Sequence, residues 1–420
     1  MLTRTVRPQL AEQYSDMLAQ SFRLRNVLLS SYSHTLSDLA LSDQRMLTYL
    51  EGMLLLKEET RDYLQRQLQD PLSVGEFFAV ALFAVSTDDE FLLSGCLGLA
   101  QAMPRLIPVL LSTTDWMPTQ SSLWPLMQSL PACRAYIAAL RNRPAQSVIF
   151  SLQDIQALLE QSQCVDFLLY FLCRSASPLF IPTLETVFSS ERDELVLQGC
   201  RAVICLRSLA DNYTSAAVRQ LHQLTRSRND NIHSAAVRYL LTHSAGNSRE
   251  LMSNLIVEGM DKRLQIQAMG WCGLADYIPA LTTYFDSPEY ARLSVLSVIS
   301  ITGSLPEQDG WRCKDDKGNR TVVTTKLAEI PTRDPEQGVS WPERQTFERW
   351  WQTRQKDFVP GAPYLCGQPI SQEGLNTVLK QGYLNLRPLA LIRMGQFSER
   401  AALPVTAYQA GRLKDERFEK

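Results

Sequence analysis

Along most of the chain, apolar residues recur at i, i+3, i+4 and i+7, and few stretches alternate with period two. In "RMLTYLEGMLLLKEETRDYLQRQL" (45–68) the apolar positions form one stripe, with Glu, Lys and Arg opposite, which predicts an amphipathic helix. The same period runs through 151–173, 195–208, 214–226, 232–242, 248–258, 264–275 and 290–301. Pro, Gly, Ser, Asp or Asn stands between most of these segments, where helices are expected to stop and start. The pattern predicts an almost wholly helical protein.

One segment is echoed. "DEFLLSGC" (89–96) and "DELVLQGC" (193–200) agree at five of eight positions. Thr87 with Glu90, and Ser190 with Asp193, suit the S/T-x-x-E/D opening of a helix. Beyond these caps, Leu92, Cys96 and Leu99 share a face, as do Val196, Cys200 and Val203, and Gly95 and Gly199 suggest close approach of a neighbour. Weaker copies place Leu195, Ile232, Leu264 and Tyr290 at equivalent anchors, with Gly199, Ala236, Ala268 and Ser294 at the small position four residues on. "GLAQAMPRLIPVL" and "GLADYIPAL" are also alike. Such spacing leaves room for two short helices per unit, and stacked helix pairs hide each other's apolar faces. The predicted class is an all-α solenoid that resembles HEAT repeats.

The expected organisation is an N-terminal helical segment (1–70), helical repeats (71–304), a polar insertion (305–345) and a C-terminal helical cap (346–420). The insertion breaks the period with Pro, Gly and charge, and "WRCKDDKGNRTVV" suits a small surface hairpin.

Composition narrows the function. The net charge of −2 gives no global attraction to nucleic acid or an anionic membrane. The nine cysteines form no C-x-x-C pair, and several sit in apolar helical runs where a thiol acts as a small hydrophobe. That fits a reduced, cytosolic chain. "FFAVALFAV" and "FLLYFLC" are far short of the roughly 20 residues that span a bilayer, and the N-terminus has no secretory h-region. His34, His222, His233 and His243 show no metal-ligand spacing, and there is no phosphate loop or nucleophile elbow. No catalytic residue, metal or cofactor is expected.

The two ends carry a more particular likeness. "LSDQRMLTYLEGMLLLKEETRDYL" followed by "GEFFAVALFAV" resembles the N-terminal signature of a bacterial HEAT-repeat family encoded beside type VI secretion genes. "WPERQTFERWWQTRQKDFVPGAPYLCGQPISQEGLNTVLKQGYLNLRPLALI" is similar to that family's closing segment, with Pro363 where its turn usually has Arg. The resemblance implies a cytoplasmic adaptor for a type VI secretion effector or spike component.

Two groups of residues bear on partners. Arg219, Arg226, Arg228 and Arg238 raise the alternative of a HEAT-like DNA-binding protein or glycosylase, although Asp211, Asp230 and Glu250 dilute them. The aromatic residues Trp341, Trp350, Trp351, Tyr364 and Tyr383 are the candidates for protein interaction, since Trp and Tyr are enriched at hot spots. The competing role of Trp350 and Trp351 is to cap the last repeat.

Overall fold

The computed structural model describes residues 6–117, 121–140, 149–162, 164–205, 211–243, 247–257, 259–313 and 336–395. The described chain is all-α, with one two-stranded hairpin. Its contacts divide the described residues into two units, those up to 220 and those from 221 on.

In the first unit the helices are α1 (Val6–Leu29), α2 (Leu36–Leu55), α3 (Lys57–Gln67), α4 (Val74–Thr87), α5 (Glu90–Ala102) and α6 (Ile107–Thr113). They continue through α7 (Trp124–Met127), α8 (Pro131–Leu140), α9 (Leu152–Gln161), α10 (Val165–Arg174), α11 (Phe180–Phe188) and α12 (Asp193–Cys205). A row of helices runs in the order α1, α4, α6, α8, α10, α12, each touching the next, and from α4 on it takes every second helix. Between them, α5 lies on α4 and α6, α9 on α8 and α10, and α11 on α10 and α12. That alternation is the packing rule of helical repeats. Within the row, α4 is buried from Phe77 to Val85, so it is apolar all round and not amphipathic.

The division between units falls in α13 (Asp211–Leu224). In the second unit α14 (Asp230–His243), α16 (Lys262–Cys272) and α18 (Ala291–Thr302) form a row, with α15 (Ser248–Val257) on the first two and α17 (Ile278–Thr282) on the third. Next come α19 (Arg344–Arg354), the hairpin β1 (Tyr364–Leu365) and β2 (Gln368–Pro369), α20 (Gln372–Gln381) and α21 (Arg387–Met394).

Several expectations need correction. The stripe over 45–68 is two helices, because Leu56 leaves helical geometry at φ −111°, ψ 42° and the Thr60 hydroxyl takes the Met53 carbonyl at 3.0 Å. The cap of α5 is Asp89, whose carboxylate accepts from the Leu92 N–H at 3.2 Å. Thr87 belongs to the end of α4 and donates to the Phe83 carbonyl at 2.9 Å. Ser190 lies three residues before α12 and accepts from the Arg192 N–H. The anchor at Tyr290 is displaced as well, since α18 begins at Ala291. The third helical position, held by Leu195, Ile232 and Leu264 elsewhere, is Leu293 there, with Ser297 four residues on.

The small positions behave as the pattern implies. A Cβ on Gly199 would lie 2.6 Å from Val187 of α11, and one on Gly95 would lie 3.1 Å from Leu68. Along α18 the hydroxyls of Ser294, Ser297 and Ser300 donate to the carbonyls of Leu281, Ile266 and Gly270. This holds α16 and α18 so close that a Cβ on Gly270 would sit 2.9 Å from the Ser297 Cα. The likeness of "GLAQAMPRLIPVL" to "GLADYIPAL" also has a structural basis. In each, a 3-10 turn (Pro104–Leu106, Ala275–Tyr277) feeds a helix with Pro in its first turn.

Candidate functional site

The described start of the expected polar insertion, 305–313, is exposed at Glu307–Gly310 but anchored in the core on either side. Trp311 is fully buried, and its indole N–H donates to Ser304 Oγ at 2.9 Å. Arg312 and Pro342 form an antiparallel bridge, and the Glu343 N–H reaches the Trp311 carbonyl at 2.7 Å. On the return, Glu336 is buried and accepts from Arg263, while its carbonyl accepts from Arg292 at 3.0 Å. The two ends thus enter and leave through the core. Most of the suggested hairpin, from residue 314 onward, lies outside the described residues.

Trp311 is the floor of an aromatic ladder. Its ring stacks near-parallel to Phe285 at 6.0 Å and meets Phe347 of α19 edge-on at 5.0 Å. Phe347 and Trp350 lie one helical turn apart, with ring centres 5.4 Å apart. From Trp350 the ladder continues to Trp351 at 6.2 Å, to Phe358 at 5.4 Å and to Tyr364 at 4.8 Å. Burial is greatest at its two ends: Trp311, Phe285 and Phe347 are fully enclosed and Tyr364 is buried, whereas Trp350, Trp351 and Phe358 between them are half-buried. Charge lies beside them. Arg344 pairs with Asp286 at 2.8 Å and with Glu348 at 2.9 Å, and Arg354 pairs with Asp357 at 3.3 Å.

The five aromatic candidates are not all together. Trp350, Trp351 and Tyr364 belong to the ladder, though Tyr364 is only 6% exposed and its hydroxyl accepts from the Val359 N–H. Trp341 is buried beneath Arg292, whose guanidinium carbon sits 5.0 Å from the ring centre. Tyr383 stands apart, half-buried, donating to the Gly303 carbonyl at 2.9 Å, and burial pushes its hydroxyl up to about 12. Sequence reasoning missed Phe285, Trp311, Phe347 and Phe358. The F-x-x-W-W spacing of Phe347, Trp350 and Trp351 was the available signal, since residues three and four apart share a helix face.

The closing turn does structural work next to the ladder. Cys366 and Gly367 both have positive φ (52° and 74°), which makes the tight two-residue turn between β1 and β2. The hairpin covers two helix ends. The Tyr364 N–H takes the Gly273 carbonyl just past α16, while the Cys366 and Gly367 N–H groups take the Ser300 and Ile301 carbonyls of α18. Arg393 of α21 donates to the carbonyls of Trp271 and Cys272, which carry the negative end of the α16 dipole. Carbonyls that would be orphaned at the ends of α16 and α18 are satisfied here.

Elsewhere the chemistry is sparse. Among the described residues no group of three or more His, Cys, Asp or Glu could hold a metal ion. Burial raises the thiols of Cys96, Cys133 and Cys272 to about 12, so they serve as core atoms and not as nucleophiles. His243 is half-buried and held below its ordinary value by desolvation. In the basic string, Arg238 is half-buried and lies 5.7 Å from the ring centre of its neighbour Tyr239. No helix among the described residues is long and apolar enough to cross a membrane.

No family model, no curated protein and no solved structure matches the chain.

Proposed function

We propose that the protein is a non-enzymatic scaffold of HEAT-like helical repeats that docks a protein partner, with the half-exposed edge of Trp350 and Trp351 as the anchor. The carrying observation is the burial pattern of the ladder. Its end rings, Trp311 with Phe347 and Tyr364, are buried, and the middle rings Trp350, Trp351 and Phe358 reach solvent from the same stack. An aromatic anchor held in place before binding loses little side-chain freedom on docking, and rigid tryptophans are typical of hot spots. Paired charges around it would form the polar rim of such an interface.

The partner class rests on the resemblance of the two chain ends: a cytoplasmic adaptor of type VI secretion would bind an effector or a spike component. Capture from a producing bacterium, followed by mass spectrometry, tests this. Recovery of a secretion component by the parent protein and its loss with Trp351→Ala support the reading. Recovery of none, or equal recovery by the variant, overturns it.

A further inference from the structure

The first unit carries a cavity of about 460 Å³ that opens to solvent, within the size range of small-molecule sites. Its walls are mostly apolar. Phe22 of α1 stacks on Phe78 with ring centres 3.8 Å apart. Tyr136 of α8 donates to Asp115 at 3.1 Å and meets Phe167 of α10 edge-on at 4.9 Å. Pro108 of α6 lines the same space.

One wall is held in an uncommon conformation. Ser162 and Cys164, in the turn from α9 to α10, have φ of +50° and +56°, which non-glycine residues adopt rarely. Two side chains reach this turn from α12 and the turn before it. Arg192 donates to the Glu160 carbonyl at 2.7 Å and to Leu159 and Ser162. Gln198 donates to the Ser162 carbonyl and accepts from the Val165 N–H at 3.0 Å. A strained turn persists where its surroundings over-determine it, and these hydrogen bonds hold this wall of the cavity in place.

The charges lining it are Arg105, Arg201 and Asp166, a surplus of one cation. Asp166 is buried and accepts from the Phe167 N–H at 3.0 Å. Arg105 is exposed at the edge and Arg201 is half-buried. We propose that this cavity binds a small amphipathic anion, with a ring-sized apolar body against Phe167 and Pro108 and a carboxylate or sulfonate turned toward Arg105. The proposal does not rest on the aromatic ladder, which lies in the other unit.

Fluorescence titration of the full chain with anilinonaphthalene sulfonate, beside its uncharged parent phenylnaphthylamine, tests it. Expected are saturable binding of the sulfonate at one site and binding of the parent weaker by about fivefold, the scale of one exposed charge pair. Arg105→Glu weakens the sulfonate by about fivefold at an unchanged melting temperature. Asn26→Trp, at an exposed position lining the cavity on α1, blocks both probes. Equal affinity for the two probes, indifference to Arg105→Glu, or the absence of saturable binding overturns the proposal.

Discussion

At the scale of single residues, glycines in helices show how one substitution changes sign with its surroundings. Gly98 lies inside α5 with nothing within 4 Å of where a Cβ would stand. Gly98→Ala should raise stability by about 0.5–1 kcal/mol, because the unfolded chain loses freedom and the helix gains propensity. Gly199 gains the same propensity, but its Cβ would press on Val187 at 2.6 Å and Phe188 at 3.0 Å. Overpacking costs ~1–3 kcal/mol, so Gly199→Ala should lower stability overall. Denaturant midpoints of the two variants check the pair. A rise with Gly199→Ala would mean that α11 and α12 are less tightly apposed than these distances require. The tryptophans divide in a similar way. Trp350 touches Trp311 and Phe347 within the core, whereas Trp351 adjoins only half-buried rings and Tyr364's neighbour Phe358. Trp350→Ala should therefore cost on the order of 1–3 kcal/mol of stability, and Trp351→Ala clearly less, as measured by urea unfolding.

At the scale of elements, helix period was legible and helix ends were not. The apolar stripe of 45–68 could not reveal the break at Leu56, because a single non-helical residue leaves the i, i+4 rows of both halves nearly in phase. The S/T-x-x-E/D pattern misled at Thr87, where the hydroxyl bonds back within α4, as threonines in a last helical turn do. It is realised at Ser73–Glu76 and Ser151–Asp154, where each serine accepts from the N–H three residues on and the acid reaches back. The family-like closing turn was legible as residues, yet its role in covering the ends of α16 and α18 depends on partners, Gly273, Ser300 and Ile301, far back in the chain. The ladder was half legible: F-x-x-W-W lies within one helix, but Trp311 and Phe285 join it only through tertiary folding. Hydrogen bonding from Ser73 holds the Glu76 carboxyl below its ordinary value of 4.5, against an opposing push from burial. A carboxylate with a depressed folded pKa contributes stability above its unfolded pKa and loses it as the pH falls through the folded one. Glu76→Gln should therefore lower stability at pH 7 and flatten its fall below about pH 4.5 relative to the parent. Melting temperatures across pH 3–7 measure this, and parallel curves for parent and variant would remove Glu76 from the acid response.

At the scale of the whole molecule, the question is how far a local injury spreads. Each unit has its own row of helices and its own buried apolar core. In helical repeats stability is close to a sum of unit terms and nearest-neighbour interfaces, so damage should remain near its origin. Gly303 offers a sharp lesion. It sits at φ +71° at the end of α18, and a Cβ there would lie 2.7 Å from the Cys366 carbonyl oxygen of the closing turn. Gly303→Val adds a left-handed branched residue and a backbone collision, together roughly 3 kcal/mol, or about 100-fold in an opening equilibrium. Amide hydrogen exchange under native conditions should show this acceleration in α16, α18 and α20, which meet the hairpin or the helix ends it covers. The amides of α4, α6, α8 and α10 in the other unit should keep their parental rates. Equal acceleration in both sets would show that the chain opens as one cooperative body. A change confined to α18 would show that the closing turn stabilises one helix end and not the unit.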